Sequence, residues 1–160
     1  MGATVIVIGT NQIRDSPMLR NRDWMELIAK AREWDLRFVV PEVCLVEATN
    51  VVRRKWTEEV QTPLGKLKLG EFGLAESQQA MNEVIDAAIN GYGEALRARL
   101  AEIGADVVKV PDSVEWTDVV QRASDRRAPY GQGQKDGFRD TLIWYSTRAV
   151  AAEALSAMCG

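Results

Sequence analysis

Three short apolar runs, at residues 4–8 (TVIVI), 36–40 (LRFVV) and 106–110 (DVVKV), are separated by long stretches with helical spacing. The first two are rich in β-branched residues and show little alternation. Such strands are buried on both faces, which is the situation of a parallel sheet covered by helices. Parallel neighbours need crossover connections, and the intervening segments are long enough to supply them as helices.

The remaining segments fill in that plan. Asp23, with Glu26 three residues later, predicts a capped helix carrying Trp24, Leu27, Ile28 and Ala31. Residues 12–22 read as a polar loop. Pro41 suits the first turn of a helix running to about Trp56. Residues 62–73, rich in Lys and Gly, read as an exposed loop or weak hairpin. Residues 75–103 form a long helix with Met81, Val84, Ile85, Ala88, Tyr92, Leu96, Leu100 and Ile103 along one side. Gly91 and Gly93 are expected to break or kink it, and Gly104 fits the position just past its end. Pro111-Asp112 opens a helix through Ala123, residues 124–137 form a Gly- and Arg-rich loop, and Phe138 begins a last helix reaching about Met158. The order β-α-β-α-α-β-α-α predicts a three-layer α/β/α fold with a central parallel sheet. Residues 1–160 are expected to be a single domain, incomplete at its C-terminal end because no strand follows the last helix.

Composition narrows the chemistry. The chain contains 46% hydrophobic and 27% charged residues, as in an ordinary globular protein. No apolar run approaches a membrane span, and no basic patch precedes the first apolar run as in a secretory signal. Cys44 and Cys159 are too few and too far apart for a disulfide framework or a zinc site, so a reducing cytoplasm is expected. Histidine is absent, which excludes Ser-His-Asp and Cys-His nucleophile systems. Hydrolysis here would have to run on carboxylates, hydroxyls, lysine or oxygen-bound metal ions. The net charge of −3 offers no global basic footprint for nucleic acid.

Glu47 is the most informative single position. Helical spacing places it on one face with Val43, Val46, Asn50 and Val51, inside an apolar stripe. A carboxylate there snorkels from the stripe edge, pairs with an arginine such as Arg54, or serves a site. Asp140, in the first turn of the last helix, is favoured by the helix dipole alone, and Asp136 is equally well explained as a cap. Functional residues in open α/β sheets gather beyond the carboxyl ends of the strands. Thr10-Asn11, Glu47 and Asp140 each follow a different strand and can converge there. The tryptophans Trp24, Trp34, Trp56, Trp116 and Trp144 fit helix faces and read as core or core-edge residues, not as a base-stacking platform.

In this order, the segments resemble a PIN domain. Residues 5–11 (VIVIGTN) resemble its opening, a hydrophobic strand running into Asp-Thr-Asn, and residues 41–47 (PEVCLVE) resemble the helix that presents its second acid. Residues 126–130 (RRAPY) and 135–144 (KDGFRDTLIW) are similar to the third-acid region of a bacterial PIN-like branch. The resemblance implies a metal-dependent endoribonuclease in which clustered acids bind Mg²⁺ or Mn²⁺ and a metal-generated hydroxide attacks a phosphodiester by a two-metal route. It implies Glu47 and Asp140 as catalytic metal ligands and Asp136 as an accessory acid, with Thr10 and Asn11 bracing the site. Arg126, Arg127, Lys135 and Arg139 would contact phosphates of single-stranded or structured RNA; as a group they also read as a solvated basic loop. A protein partner or a homodimer, as in a toxin–antitoxin system, is compatible with this family.

Gly9 departs from the pattern, because the family has its first acid there. The family pattern also continues past the last helix into another strand and a fourth acid. Both departures predict weak metal binding and little cleavage, and they leave open a catalytically inactive PIN-like module that binds RNA or protein. A nucleotide-binding doubly wound domain is a further alternative, but residues 9–13 (GTNQI) form no Gly-rich phosphate cradle.

Overall fold

A computed structural model describes residues 4–125 and 137–159. Its sheet consists of β1 (Thr4–Val7), β2 (Leu36–Pro41) and β3 (Asp106–Val108), all parallel, in the order β1-β2-β3. β2 is central, and Phe38, Val39 and Val40 are buried. Among the described residues β1 and β3 have one neighbouring strand each, and they are half-buried or exposed along their length. The strands are staggered: Val7, the last residue of β1, lies opposite Val39, which in turn lies opposite Asp106, the first residue of β3, and β2 and β3 end together at Pro41 and Val108.

The helices are α1 (Thr10–Asp15), α2 (Arg22–Lys30), α3 (Glu42–Trp56), α4 (Thr62–Lys66), α5 (Ala75–Glu102), α6 (Trp116–Ser124) and α7 (Gly137–Cys159). With the parallel sheet they make the expected three-layer α/β/α arrangement. Among the described residues no helix is long and apolar enough to cross a membrane. The core gathers Ile8, Phe38 and Val40 from the sheet side, Cys44, Leu45, Ala48 and Val52 from α3, and Tyr92, Leu96 and Leu100 from α5.

Several local expectations are corrected. Residues 12–15, read as the start of a polar loop, belong instead to α1, which begins at Thr10 shortly after β1. The cap of α2 is Asn21, whose side chain accepts from Trp24 N at 3.0 Å, and Asp23 lies inside the helix. Residues 62–73, read as a loop or hairpin, are largely helical: after a π-helical turn (Thr57–Gln61) come α4 (Thr62–Lys66) and, two residues on, a 3₁₀ turn (Leu69–Phe72). α5 runs unbroken through Gly91 and Gly93. Its apolar side is covered only from Ile89 onward, and Met81 and Val84 are exposed. α6 begins at Trp116, later than Pro111-Asp112 suggested. Gly104 does sit just past α5 with a left-handed φ of 69°.

The two glycines of α5 have different reasons. A Cβ at Gly93 would lie 3.2 Å from Thr49 Cγ2, so α3 and α5 approach closely there. A Cβ at Gly91 would meet nothing within 4 Å. Gly91→Ala is therefore expected to stabilise the fold by about 0.5–1 kcal/mol through helix propensity. Gly93→Val should destabilise it by about 1–3 kcal/mol through overpacking. Urea unfolding of both variants checks the contrast, and an equal response at the two sites would rule out the close helix approach.

Candidate functional site

Because β1 and β2 are parallel neighbours, with Ile8 N donating to Val39 O at 2.8 Å just past the end of β1, the segments that follow them emerge at the same end of the sheet. Gly9 precedes α1 with extended backbone (φ −96°, ψ 179°), and Thr10 is the first residue of the helix. Glu47 lies on α3, which leaves β2 at Pro41. Thr10 Oγ1 donates to Glu47 Oε2 at 2.7 Å. The other carboxylate oxygen, Oε1, accepts from Arg139 Nη1 on α7 in an ion pair. Three elements distant in sequence thus meet on one carboxylate. The Glu47 side chain is 23% exposed, so these charge-assisted bonds form in a partly desolvated setting where they are stronger than at an open surface.

Cys44, one turn before Glu47, is buried. Burial raises its thiol pKa above the ordinary value; Thr10 hydrogen bonds oppose this, and the negative charges of Glu47 and Asp140 push it further up. Asp140 is therefore within electrostatic reach of the same point as Glu47. The unfolded chain gives up this thiol proton at lower pH than the folded one. The stability it confers is complete below the ordinary thiol range, near pH 8.5, and falls as pH rises through it. The parent protein is expected to lose more melting temperature between neutral pH and alkaline pH than Cys44→Ala does; parallel melting curves for the two would contradict the buried, charge-flanked thiol.

The stripe around Glu47 is not the core face. The buried positions of α3 are Cys44, Leu45, Ala48 and Val52, whereas Val46 is 51% exposed. Val43, Val46, Glu47, Asn50 and Val51 instead line an open cleft of about 500 Å³ between α3 and α7, closed on the far side by Phe138, Arg139 and Leu142. The partner of Glu47 is Arg139 and not Arg54, although Arg54 lines the same cleft. Arg139 itself was read from the sequence as a phosphate contact. Asn11 follows Thr10 and is exposed, with no side-chain bond to Glu47 among the described residues. Asp136, Arg126, Arg127 and Lys135 lie outside the described residues.

Two features of this region escaped sequence reasoning. Phe138 and the Glu47–Arg139 pair depend on how α7 is laid across α3, and residues 92 positions apart carry no local signal of contact. The exposure of Trp34 (51%), Trp116 (60%) and Trp144 (39%) corrects the reading of all five tryptophans as core or core-edge residues; Trp24 and Trp56 pack against the core as expected.

A family model of the PIN domain matches residues 6–157. The chain belongs to the PIN domain family. Comparison with curated proteins and with solved structures returned no match. PIN domains are generally nucleases and generally depend on divalent metal ions.

The described residues of this PIN domain fit such an ion poorly. The donors are oxygens, which suits a hard cation. Yet both Glu47 oxygens are engaged, one by Thr10 and one by a guanidinium, and Gly9 offers no side chain at the end of β1. No group of three or more acidic, Cys or His side chains among the described residues is arranged to hold a metal. The guanidinium of Arg139 supplies positive charge to Glu47 where an ion would otherwise be needed.

Proposed function

We propose that this PIN domain is an endoribonuclease-type module directed at RNA phosphodiesters, whose cleavage centre is impaired in this chain. The observation that carries the reading is the meeting of Thr10, Glu47 and Arg139 beyond the carboxyl ends of β1 and β2, with Asp140 acting on the same buried thiol as Glu47. Glu47 and Asp140 are its acids, with Asp136 as accessory; Thr10 orients the Glu47 carboxylate. Asn11, Arg126, Arg127, Lys135 and Arg139 are its remaining RNA-contacting candidates. Gly9 stands where the family pattern has its first acid, and Mg²⁺ or Mn²⁺ affinity is correspondingly weak.

A second reading is favoured by the same ion pair. With Arg139 seated on Glu47, the centre is neutralised from within, as suits a module that binds RNA without cutting it. The test uses several single-stranded RNAs with Mn²⁺ and compares Gly9→Asp with Gly9→Asp/Glu47→Gln. Cleavage by the first and not the second supports the nuclease reading. No cleavage by either overturns it in favour of the binding module.

A further inference from the structure

At the outer end of the α3–α7 cleft, the ring of Phe138 stacks on Trp116 of α6, with centroids 6.2 Å apart and planes at 18°. Trp116 is 60% exposed and Phe138 is 45% exposed, so the pair buries little and presents an aromatic face to solvent. Phe138 also lines the cleft that contains Glu47, which makes the stack continuous with the site. Further along the same two helices, Trp144 lies under two guanidinium groups, Arg122 at 4.8 Å and Arg148 at 5.4 Å from its ring centroid. Six residues of α7 separate Phe138 from Trp144, a rise of about 9 Å.

These are two chemically different contacts at a separation of about one or two nucleotides. A bare aromatic face accepts any base by stacking, and guanidinium groups held on a ring present positive charge at a fixed place. Arg122 is shared with Asp118 at 3.3 Å, so it is partly neutralised. Arg148 has no carboxylate within ion-pair distance among the described residues and is exposed. It also lines a groove of about 310 Å³ between residues 111–114 and α7. An exposed aromatic stack continuous with the cleft, followed along α7 by an indole carrying two guanidinium groups, matches a strand that offers unpaired bases and phosphates together.

We infer that the α6–α7 edge is a binding subsite for single-stranded nucleic acid, with a base on the outer face of Trp116 and a neighbouring phosphate on Arg148 beside Trp144. This rests on the RNA-directed reading of the cleft but needs no cleavage. Duplex is disfavoured, because its bases are already stacked and cannot reach the indole.

The experiment is fluorescence anisotropy with a labelled short oligouridylate and its duplex counterpart, in EDTA, across a salt titration. The parent is expected to bind the single strand more tightly than the duplex. Trp116→Ala should weaken single-strand binding by about 5- to 100-fold, while Trp116→Tyr retains most of it. Arg148→Ala, a surface change that leaves the Trp116–Phe138 stack in place, should lower the magnitude of the salt-dependence slope by about 0.7. Trp116→Ala and Arg148→Ala binding like the parent with unchanged slopes would overturn the inference, as would equal affinity for duplex. Loss in Trp116→Ala alone, with the Arg148→Ala slope unchanged, would overturn the phosphate contact. Because the assay excludes metal, a cleavage-dead Gly9→Asp protein that still shows these losses would sink the nuclease reading and spare this one.

Discussion

Replacing Gly9 with aspartate is expected to give RNA cleavage that rises by about 100-fold or more over the parent in Mn²⁺, given that even outer-sphere partners command about 10- to 100-fold in metal affinity or activity. The substitution is sterically open. Gly9 has extended backbone that any residue adopts, and its added Cβ would lie 3.1 Å from Gln12 Oε1, the movable end of a side chain. Gln12 Oε1 accepts from Gly9 N at 3.1 Å and would yield by a few tenths of an ångström. Aspartate is also a preferred residue in front of a helix, where its carboxylate accepts from the free backbone N–H groups of the first turn. The new carboxylate precedes Thr10, which already holds Glu47. The added negative charge would favour a divalent cation over Arg139 as the counter-charge. A thermal shift reads this without catalysis. Mn²⁺ at a hundred times its dissociation constant contributes about 2.7 kcal/mol, or roughly 5–10 °C for a chain of this size. The parent should show little or none of it. A Gly9→Asp protein with neither a Mn²⁺ shift nor cleavage would remove the metal centre from the account.

Arg99→Ala should lower stability by about 3 kcal/mol, a fall of roughly 6–12 °C in melting temperature. Arg99 is charged yet only 6% exposed on α5. Its guanidinium donates to Met18 O at 3.2 Å and to Leu19 O at 3.4 Å, and it pairs with Glu102 at 2.8 Å. Nearby, Tyr92 donates from its hydroxyl to Pro17 O at 2.7 Å. These bonds clamp the segment between α1 and α2, in which Leu19 is fully buried with a left-handed φ of 49°. A leucine in that conformation is strained by about 1–2 kcal/mol and persists because burial and the two donors hold it. Truncating Arg99 leaves two carbonyls without those donors and opens space beneath the loop. Glu102→Ala is the control: Glu102 is 62% exposed, so losing the pair alone should cost less than about 1 kcal/mol. Equal, small effects of both substitutions in urea titrations would show that Arg99 is not the anchor. Since this segment directly follows α1, the loss of Arg99 should also loosen Thr10 against Glu47.

How much of this was legible beforehand differs by element. β1, β2, α3 and α5 follow from period and composition; FVV of β2 is buried as such a run requires, whereas β1, expected to be buried, is half-buried to exposed because it lies at an edge of the described sheet. Gly104 declared the end of α5 because only a residue without Cβ adopts its φ of 69° at no cost. By contrast, the same α3 periodicity that flagged Glu47 could not tell a core stripe from a cleft wall. Helical spacing reports which residues share a face and is silent on what lies opposite. The unbroken α5 shows the complementary limit: glycine weakens a helix by about 1 kcal/mol, and close packing of Gly93 against Thr49 outweighs that.

The sequence by itself determined the class of fold, the family and the exclusion of histidine chemistry. These rest on residue types and on spacings within one element, where backbone geometry alone relates position to direction. Only the tertiary structure decided that Arg139 sits on Glu47, that Arg99 holds the chain at Met18 and Leu19, and that Trp116 and Trp144 face solvent. Each of those is a relation between residues on different elements, fixed by how helices are laid across the sheet, and no period along the chain encodes it.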